Sequence, residues 1–344
     1  DLKGDQNGVI EIFGDLVVRN NGVLKTPEAY QLGITVHGDL ILDNGSVEAN
    51  GGGFRYFDLY GGILSSDGVI DFSANRDVVF RFLGDDNVAV SGAGTLGFNR
   101  LIIDKKEGVE VGFEAPFTLN AAADGTTDDK PFLLKSGIAR LNHTDIDLTL
   151  NSGGGDFEIP ATAQLIVDQG ATVRASGNES SLFLDGALVV DNEGEFLWEG
   201  AGDNHIKYSA SGNASIWLGK DAKFYVGSQL FRNSEGGILN FTQANASSEV
   251  RIATIDAPLA TKGVFEVLNE GSSFTQSQEN SVISIWRGQS GSNPVPAIRY
   301  NPSTWSVAKG SKMIVGNAAT SSSVGLYADQ PMGGLDLVGA TTLD

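Results

Sequence analysis

The sequence predicts an all-β fold, a single-stranded parallel β-helix (β-solenoid) of about 24 residues per coil. Three observations carry that expectation. One apolar phrase closed by a turn glycine recurs along the 344 residues; glycine is abundant, with 45 residues against 9 prolines; and no sustained helical apolar period is present. Leu16, Leu40, Leu64 and Val88 stand 24 residues apart, and the turn glycines Gly22, Gly45, Gly68 and Gly92 follow at steps of 23, 23 and 24. Propeller blades need about 40 residues or more, and leucine-rich repeats need a frame that is absent here, so the period selects a solenoid. Dividing the length by the period gives about 14 coils of two or three short strands each. Leu16, Leu40, Leu64 and Val88 are expected to form one internal stack. A right-handed sense follows from the general preference of parallel crossover connections.

Taken in chain order, the phrase reads GDLVVRNNG (14–22), GDLILDNG (38–45), GILSSDG (62–68) and NVAVSG (87–92). It continues as RLIIDKKEG (100–108), PFLLKSG (131–137), QLIVDQG (164–170), ALVVDNEG (187–194), VFEVLNEG (264–271) and SVAKG (306–310). Each is a few residues of in/out alternation ending at Asn-Gly, Asp-Gly or a similar pair, the pattern of a strand closed by a turn that needs positive φ. Recurring Asn21, Asn44 and Asn192 are read as such corner residues, with amides able to bond to the equivalent Asn in the next coil. One continuous solenoid over 1–344 is expected, with an insertion near 113–132 and less regular coils over 286–344. There Asn293-Pro294-Val295-Pro296 and Asn301-Pro302 are breakers not expected inside a central strand. The last segment, GGLDLVGATTLD, lacks capping character, which suggests part of a longer protein.

Composition excludes several functions. Lys+Arg 23 against Asp+Glu 43 gives a net charge of −20, which repels phosphate backbones and anionic membranes. Nucleic acid is not an expected partner. No apolar run approaches the roughly 20 residues of a membrane span. The absence of cysteine removes disulfides, thiolate zinc sites and cysteine nucleophiles.

The phrase G-x-L-x-V-x-N-x-G followed by a second apolar strand resembles right-handed parallel β-helix regions of large bacterial surface proteins, among them adhesin-like and autotransporter-type passengers. GTLGFNRLIIDKKEGVEV (94–111) is similar to repeats in exported cell-surface proteins of the Bacteroidota. The resemblance implies secretion, display at the cell surface, and adhesive or stalk roles toward surface or matrix glycans or proteins. It carries no catalytic residues.

Parallel β-helices also host pectate lyases, polygalacturonases and tailspike glycosidases, so an enzyme reading has to be tested at residue level. Asp85-Asp86 and Asp128-Asp129 offer a D-D pair, but His37, His143 and His205 lie in VHG, NHT and NHI, so G-H-G is missing. Arg140, in ARLN, has no lyase-type arginine frame around it. Paired carboxylates can cleave a glycoside without any motif, which keeps a polysaccharide lyase or glycoside hydrolase as the alternative. Neither G-x-S-x-G nor a phosphate-binding P-loop occurs. Asp124-Gly125-Thr126-Thr127-Asp128-Asp129 is oxygen-rich but lacks the EF-hand frame; it reads as a soluble insertion tip, and calcium binding by Asp124, Asp128 and Asp129 stays open. The three histidines stand alone, which argues against zinc.

Phe54-Arg55-Tyr56-Phe57-Asp58-Leu59-Tyr60 concentrates aromatics, and alternation places Phe54 and Tyr56 on one face, either as a sugar-stacking platform or as core; Trp198, Trp217, Trp286 and Trp305 carry the same ambiguity. A binding module of the ladder type would need a recurring Thr or aromatic column, and none is apparent at the 24-residue step. The expectation is therefore a non-enzymatic, extracellular surface segment without catalytic, cofactor or metal residues, binding through the insertions Ala121 to Lys130 and Gln289 to Ser303.

Overall fold

The computed structural model describes residues 8–26, 32–49, 55–72, 78–119, 130–150, 155–175, 180–200, 204–210, 212–255, 261–287, 295–316, 323–338 and 342–343. Its described residues are all β, with no helix, and the strands stack in parallel as about 11 turns at a spacing of about 25 residues. That is fewer than length divided by period gives, because the segments between some turns are longer than the repeat itself. The chain divides into two compact units, 1–153 and 154–344.

In the first unit each turn contributes three strands. Gly8–Ile12, Leu32–Val36, Arg55–Leu59, Val78–Gly84 and Arg100–Lys105 form the first sheet, joined by the first part of Phe132–Asn142. Leu16–Arg19, Leu40–Asp43, Ile63–Ser66, Val88–Gly92 and Glu110–Phe113 form the second, continued by the later part of Phe132–Asn142. Val23–Thr26, Ser46–Ala49, Val69–Asp71, Thr95–Phe98 and Phe117–Leu119 form the third. Gly137, at φ 87°, lets Phe132–Asn142 turn a corner and serve two sheets.

The internal row is not quite the expected one. Leu16 pairs with Leu40, but Leu40 pairs with Ile63, and the row continues through Val90, Phe113 and Leu141. Leu64 pairs with Ile41 on the outer face and is 44% exposed, while Val88 pairs with Val111. The cause is the doubled glycine: Gly61, not Gly62, is the equivalent of Gly38, so this strand begins one residue earlier than the phrase GILSSDG suggests. Gly62 occupies the place of Asp39, and its N–H donates to Asp39 Oδ1 at 2.7 Å. Asp39 N–H donates to Asp15 Oδ1 at 2.9 Å in the same way one turn earlier, so corner carboxylates satisfy the amides of the following turn. A one-residue slip would move every side chain of a strand to the opposite face, and the buried row excludes it.

The corner asparagines Asn21, Asn44 and Asn192 have the expected positive φ, at 61°, 52° and 41°, but an expected asparagine partner is not what the Asn192 amide meets. The inter-turn partner of the Asn192 amide is a carboxylate, Asp168, at 2.9 Å. Aromatic stacking fills the first unit's interior, where the fully buried Phe80 ring touches Phe57, Phe72, Phe82 and Phe98 at centroid distances of 5.0 to 6.3 Å.

The second unit repeats the plan. Its third sheet runs Thr172–Arg174, Glu195–Trp198, Lys223–Val226, Glu249–Ile252, Val282–Ile285, Lys312–Val315 and Gly334–Leu337 in parallel. Phe265–Gln276 and Ile298–Val307 are long because each rounds a corner, at which their mutual register shifts between Asn269 and Ser273. Pro302 sits inside Ile298–Val307, contrary to its expected role as a breaker. It lies opposite Asn269 at that irregularity, where the ladder is interrupted and a missing N–H is tolerated. Inside the stack, Gln276 Nε2 donates to Gln243 Oε1 at 2.9 Å, and Gln243 Nε2 donates to the carbonyls of Ser248 and Val282, so two buried amides are held by ladder bonds between turns.

Candidate functional site

The outer face of the first sheet in the first unit gathers a group of side chains with recognisable chemistry. Alternation along Arg55–Leu59 sends Phe57 and Leu59 into the core, 3% and 0% exposed, and turns Tyr56 and Asp58 outward. Tyr60 follows at the strand end, half-buried. Parallel register stacks Glu11, Thr35, Asp58 and Arg81 in one outer column and Gly33, Tyr56 and Val79 in the next. A solenoid repeats every outward position once per turn, so residues some 24 apart in sequence become neighbours at roughly 4.8 Å.

Within the first column the Arg81 guanidinium grips Asp58 through two bonds, Nε to Oδ1 at 2.5 Å and Nη2 to Oδ2 at 2.6 Å. The hydrogen-bonded Asp58 carboxylate raises the Arg81 pKa further above its ordinary value, outweighing burial. Arg81 Cζ also lies 5.0 Å from the centroid of the Tyr56 ring. Gly33 makes that arrangement possible: a Cβ there would stand 2.2 Å from Tyr56 Cζ, so only glycine lets the ring lie against the neighbouring turn.

At the end of the same strands Phe13, His37 and Tyr60 stack as an aromatic column. The Phe13 and His37 rings are 5.1 Å apart and 3° from parallel, and His37 and Tyr60 are 4.8 Å apart at 22°. Phe13 is 79% exposed, the largest exposure among the large hydrophobic residues described. His37 Nε2 and Glu11 Oε1 are 3.0 Å apart. The face therefore combines apolar ring surface with hydroxyl, imidazole and carboxylate groups along a flat ladder. Sugars present the matching mixture, CH faces for rings and hydroxyls for polar edges.

This column corrects one sequence reading. An aromatic column does recur across three turns, at steps of 24 and 23. It was hidden because its members are three different residue types lying just outside the repeating phrases; reading each position immediately after a first-sheet strand would have found it. In the aromatic run 54–60, Phe57 lies in the core and Tyr56 and Tyr60 face outward; Phe54 lies outside the described residues.

Other residues singled out by sequence take structural places. Asp85 and Asp86 are exposed and stand beside the enclosed Lys105, whose Nζ donates to the carbonyls of Asp86 at 2.9 Å and Tyr60 at 3.1 Å. Burial lowers the Lys105 pKa to about 8, partly opposed by the charges of Asp86 and Asp85. Arg140 pairs with Glu110 at 3.1 Å. His143 accepts the Asp145 N–H in a turn, and His205 is buried edge-on against Phe231. Trp198 is fully buried in the second unit, whereas Trp217 and Trp305 are 36% and 41% exposed. Among the described residues no group of three or more His, Asp or Glu is placed to hold a metal ion. Asp124, Asp128 and Asp129 lie outside the described residues, as do 121–129 and 289–294 of the two insertions expected to bind; 295–303 enters the strand Ile298–Val307.

No protein-family model, no curated protein and no solved structure matches this chain.

Proposed function

We propose that the chain is a non-enzymatic, extracellular segment of a bacterial cell-surface adhesin or stalk, and that the outer face of the first unit's first sheet is its glycan-binding surface. The observation that carries the reading is the exposed stack of Phe13, His37 and Tyr60, three rings from three successive turns fixed by a continuous backbone ladder. Rings held at a fixed spacing by rigid strands lose little freedom on binding, which favours recognition of an extended polymer. Asp58 supports the surface rather than chemistry, because both its oxygens already accept from Arg81. The acidic character of the chain keeps such a display segment soluble.

Binding of the purified chain to a glycan array, repeated with Phe13→Ala and Tyr60→Ala, tests the proposal. Phe13 is largely in solvent, so its removal leaves the fold intact while weakening the glycan contact by roughly 1 kcal/mol, about fivefold. Unchanged binding by both variants would overturn the assignment of this face.

A polysaccharide-cleaving role is the second reading, favoured by the close approach of His37 to Glu11, a pair able to move a proton on the same surface. Release of reducing ends from acidic or neutral glycans, abolished by His37→Ala or Glu11→Gln, would establish it in place of simple binding.

A further inference from the structure

The second unit contains a groove of about 350 Å³ lined by Arg232, Leu268, Asn269, Pro296, Arg299 and Asn301, with Tyr327 also at its edge. Two cations meeting in one recess are unusual in a chain of net charge −20. They differ in how they are held. Arg299 Nη1 donates to Glu266 Oε1 at 3.0 Å, and the Glu266 side chain is almost wholly enclosed. The backbone N–H of Gly263 donates to the same oxygen at 2.7 Å, and that of Arg232 donates to Oε2 at 3.1 Å. Glu266 is thus saturated from within and serves to aim Arg299, leaving the outer edge of that guanidinium toward the groove. The Arg232 side chain makes no ion pair or hydrogen bond among the described residues. The buried Glu266 carboxylate is therefore engaged by Arg299 and by backbone N–H groups, while the Arg232 guanidinium is left without an ion pair among the described residues.

The walls fit a sugar. Asn269 and Asn301 are in register with the corner of the two long strands, and Asn269 is held at φ 100°, a backbone conformation that side-chain-bearing residues rarely adopt. Strained backbone of this kind persists where the surroundings fix it, and here it borders the recess. Tyr327 is 40% exposed, with its hydroxyl donating to the Asp329 carboxylate, so its ring is available at the rim.

We infer that this groove is an oxyanion-binding subsite for an acidic polysaccharide, with Arg232 and Arg299 holding the anionic group, the two asparagines meeting hydroxyls, and Tyr327 contacting the sugar ring. Guanidinium forks bind carboxylates and sulfate esters with the same geometry, so both are members of the ligand class. The inference is independent of the aromatic face proposed above, which lies in the other unit.

Titration calorimetry of the full chain with trigalacturonate, a sulfated galactose trimer, neutral galactotriose and a tetraglutamate peptide decides it. The expected result is binding of one or both charged sugars, with affinity falling as salt rises and at least tenfold loss in Arg232→Gln. Trigalacturonate preference would identify a uronate site, and preference for the sulfated trimer a sulfate-ester site. Arg299→Gln strips the counter-charge from buried Glu266 and can unfold the corner, so Arg232→Gln, which breaks no ion pair, is the deciding variant, with Arg232→Lys retaining part of the affinity. Failure of both charged sugars to bind, tighter binding of tetraglutamate, or an affinity for the charged sugars unaltered in Arg232→Gln would each overturn the inference.

Discussion

Replacing Gly33 with alanine tests the proposed binding face without deleting any of its atoms. The new methyl would lie 2.2 Å from Tyr56 Cζ and 2.4 Å from both Cε2 and Oη. Carbon atoms rest at about 3.5 to 4.0 Å, so the ring has to retreat by roughly 1.5 Å. It can do so, because the obstructing atoms are the far end of a side chain on a solvent-facing surface. The retreat weakens the contact with Arg81, about 0.5 to 1 kcal/mol at an exposed site. Gly→Ala at a non-positive φ returns about 0.4 to 1 kcal/mol through the unfolded chain. The two nearly cancel, and denaturant unfolding of Gly33→Ala is expected within about 1 kcal/mol of the parent. Glycan affinity on the array-selected ligand falls instead, by up to about tenfold if the ring position contributes 1.4 kcal/mol. Calorimetry and unfolding on the same preparation give both numbers. Unchanged affinity would show that Tyr56 is not part of the binding surface, and a loss of stability above about 2 kcal/mol would show that the ring is not free to move.

Further predictions concern the interior. Phe80→Ala removes the ring at the centre of the first unit's aromatic cluster and is expected to destabilise by about 3 to 5 kcal/mol, measured by urea unfolding. Lys105 carries a pKa near 8 in the fold against about 10.4 unfolded, so between those values the unfolded chain binds more protons and stability rises with pH. Below pH 8 both states are protonated and the full cost is present. Relative to Lys105→Met, the parent should gain about 2 kcal/mol from pH 8 to pH 10.4, allowing for partial screening; a parallel pH dependence in the two proteins would contradict the assignment.

Much of the fold was legible because its signal is periodic. Turn glycines, corner asparagines and alternating aliphatics each report the same repeat, and the pairing of Leu16 with Leu40 follows from them. The step to Ile63 did not, since Gly61 and Gly62 are equally good starts for the phrase and only the packed row distinguishes them. Pro302 misled because the sequence does not reveal that the ladder is already interrupted opposite it. The candidate sites were less legible for a different reason. Phe13, His37 and Tyr60 share no residue type, and Arg232 and Arg299 are brought together by stacking of turns rather than by local spacing. Residues that act together on a solenoid are separated by whole coils, so local motifs do not show them.

Cysteine cross-linking tests the register most directly, since the chain has no cysteine of its own. Paired residues on adjacent parallel strands stand about 4.8 Å apart, within the 4.4 to 6.8 Å that a disulfide spans. Ile41→Cys with Leu64→Cys places both thiols on the outer face in register. Under mild oxidation that pair is expected to close within the monomer, seen as a mass loss of about two hydrogens. Leu40→Cys with Leu64→Cys, which sets one thiol in the core and the other in solvent, should stay reduced. Closure of the second pair in preference to the first would contradict the stacking on which the whole account stands.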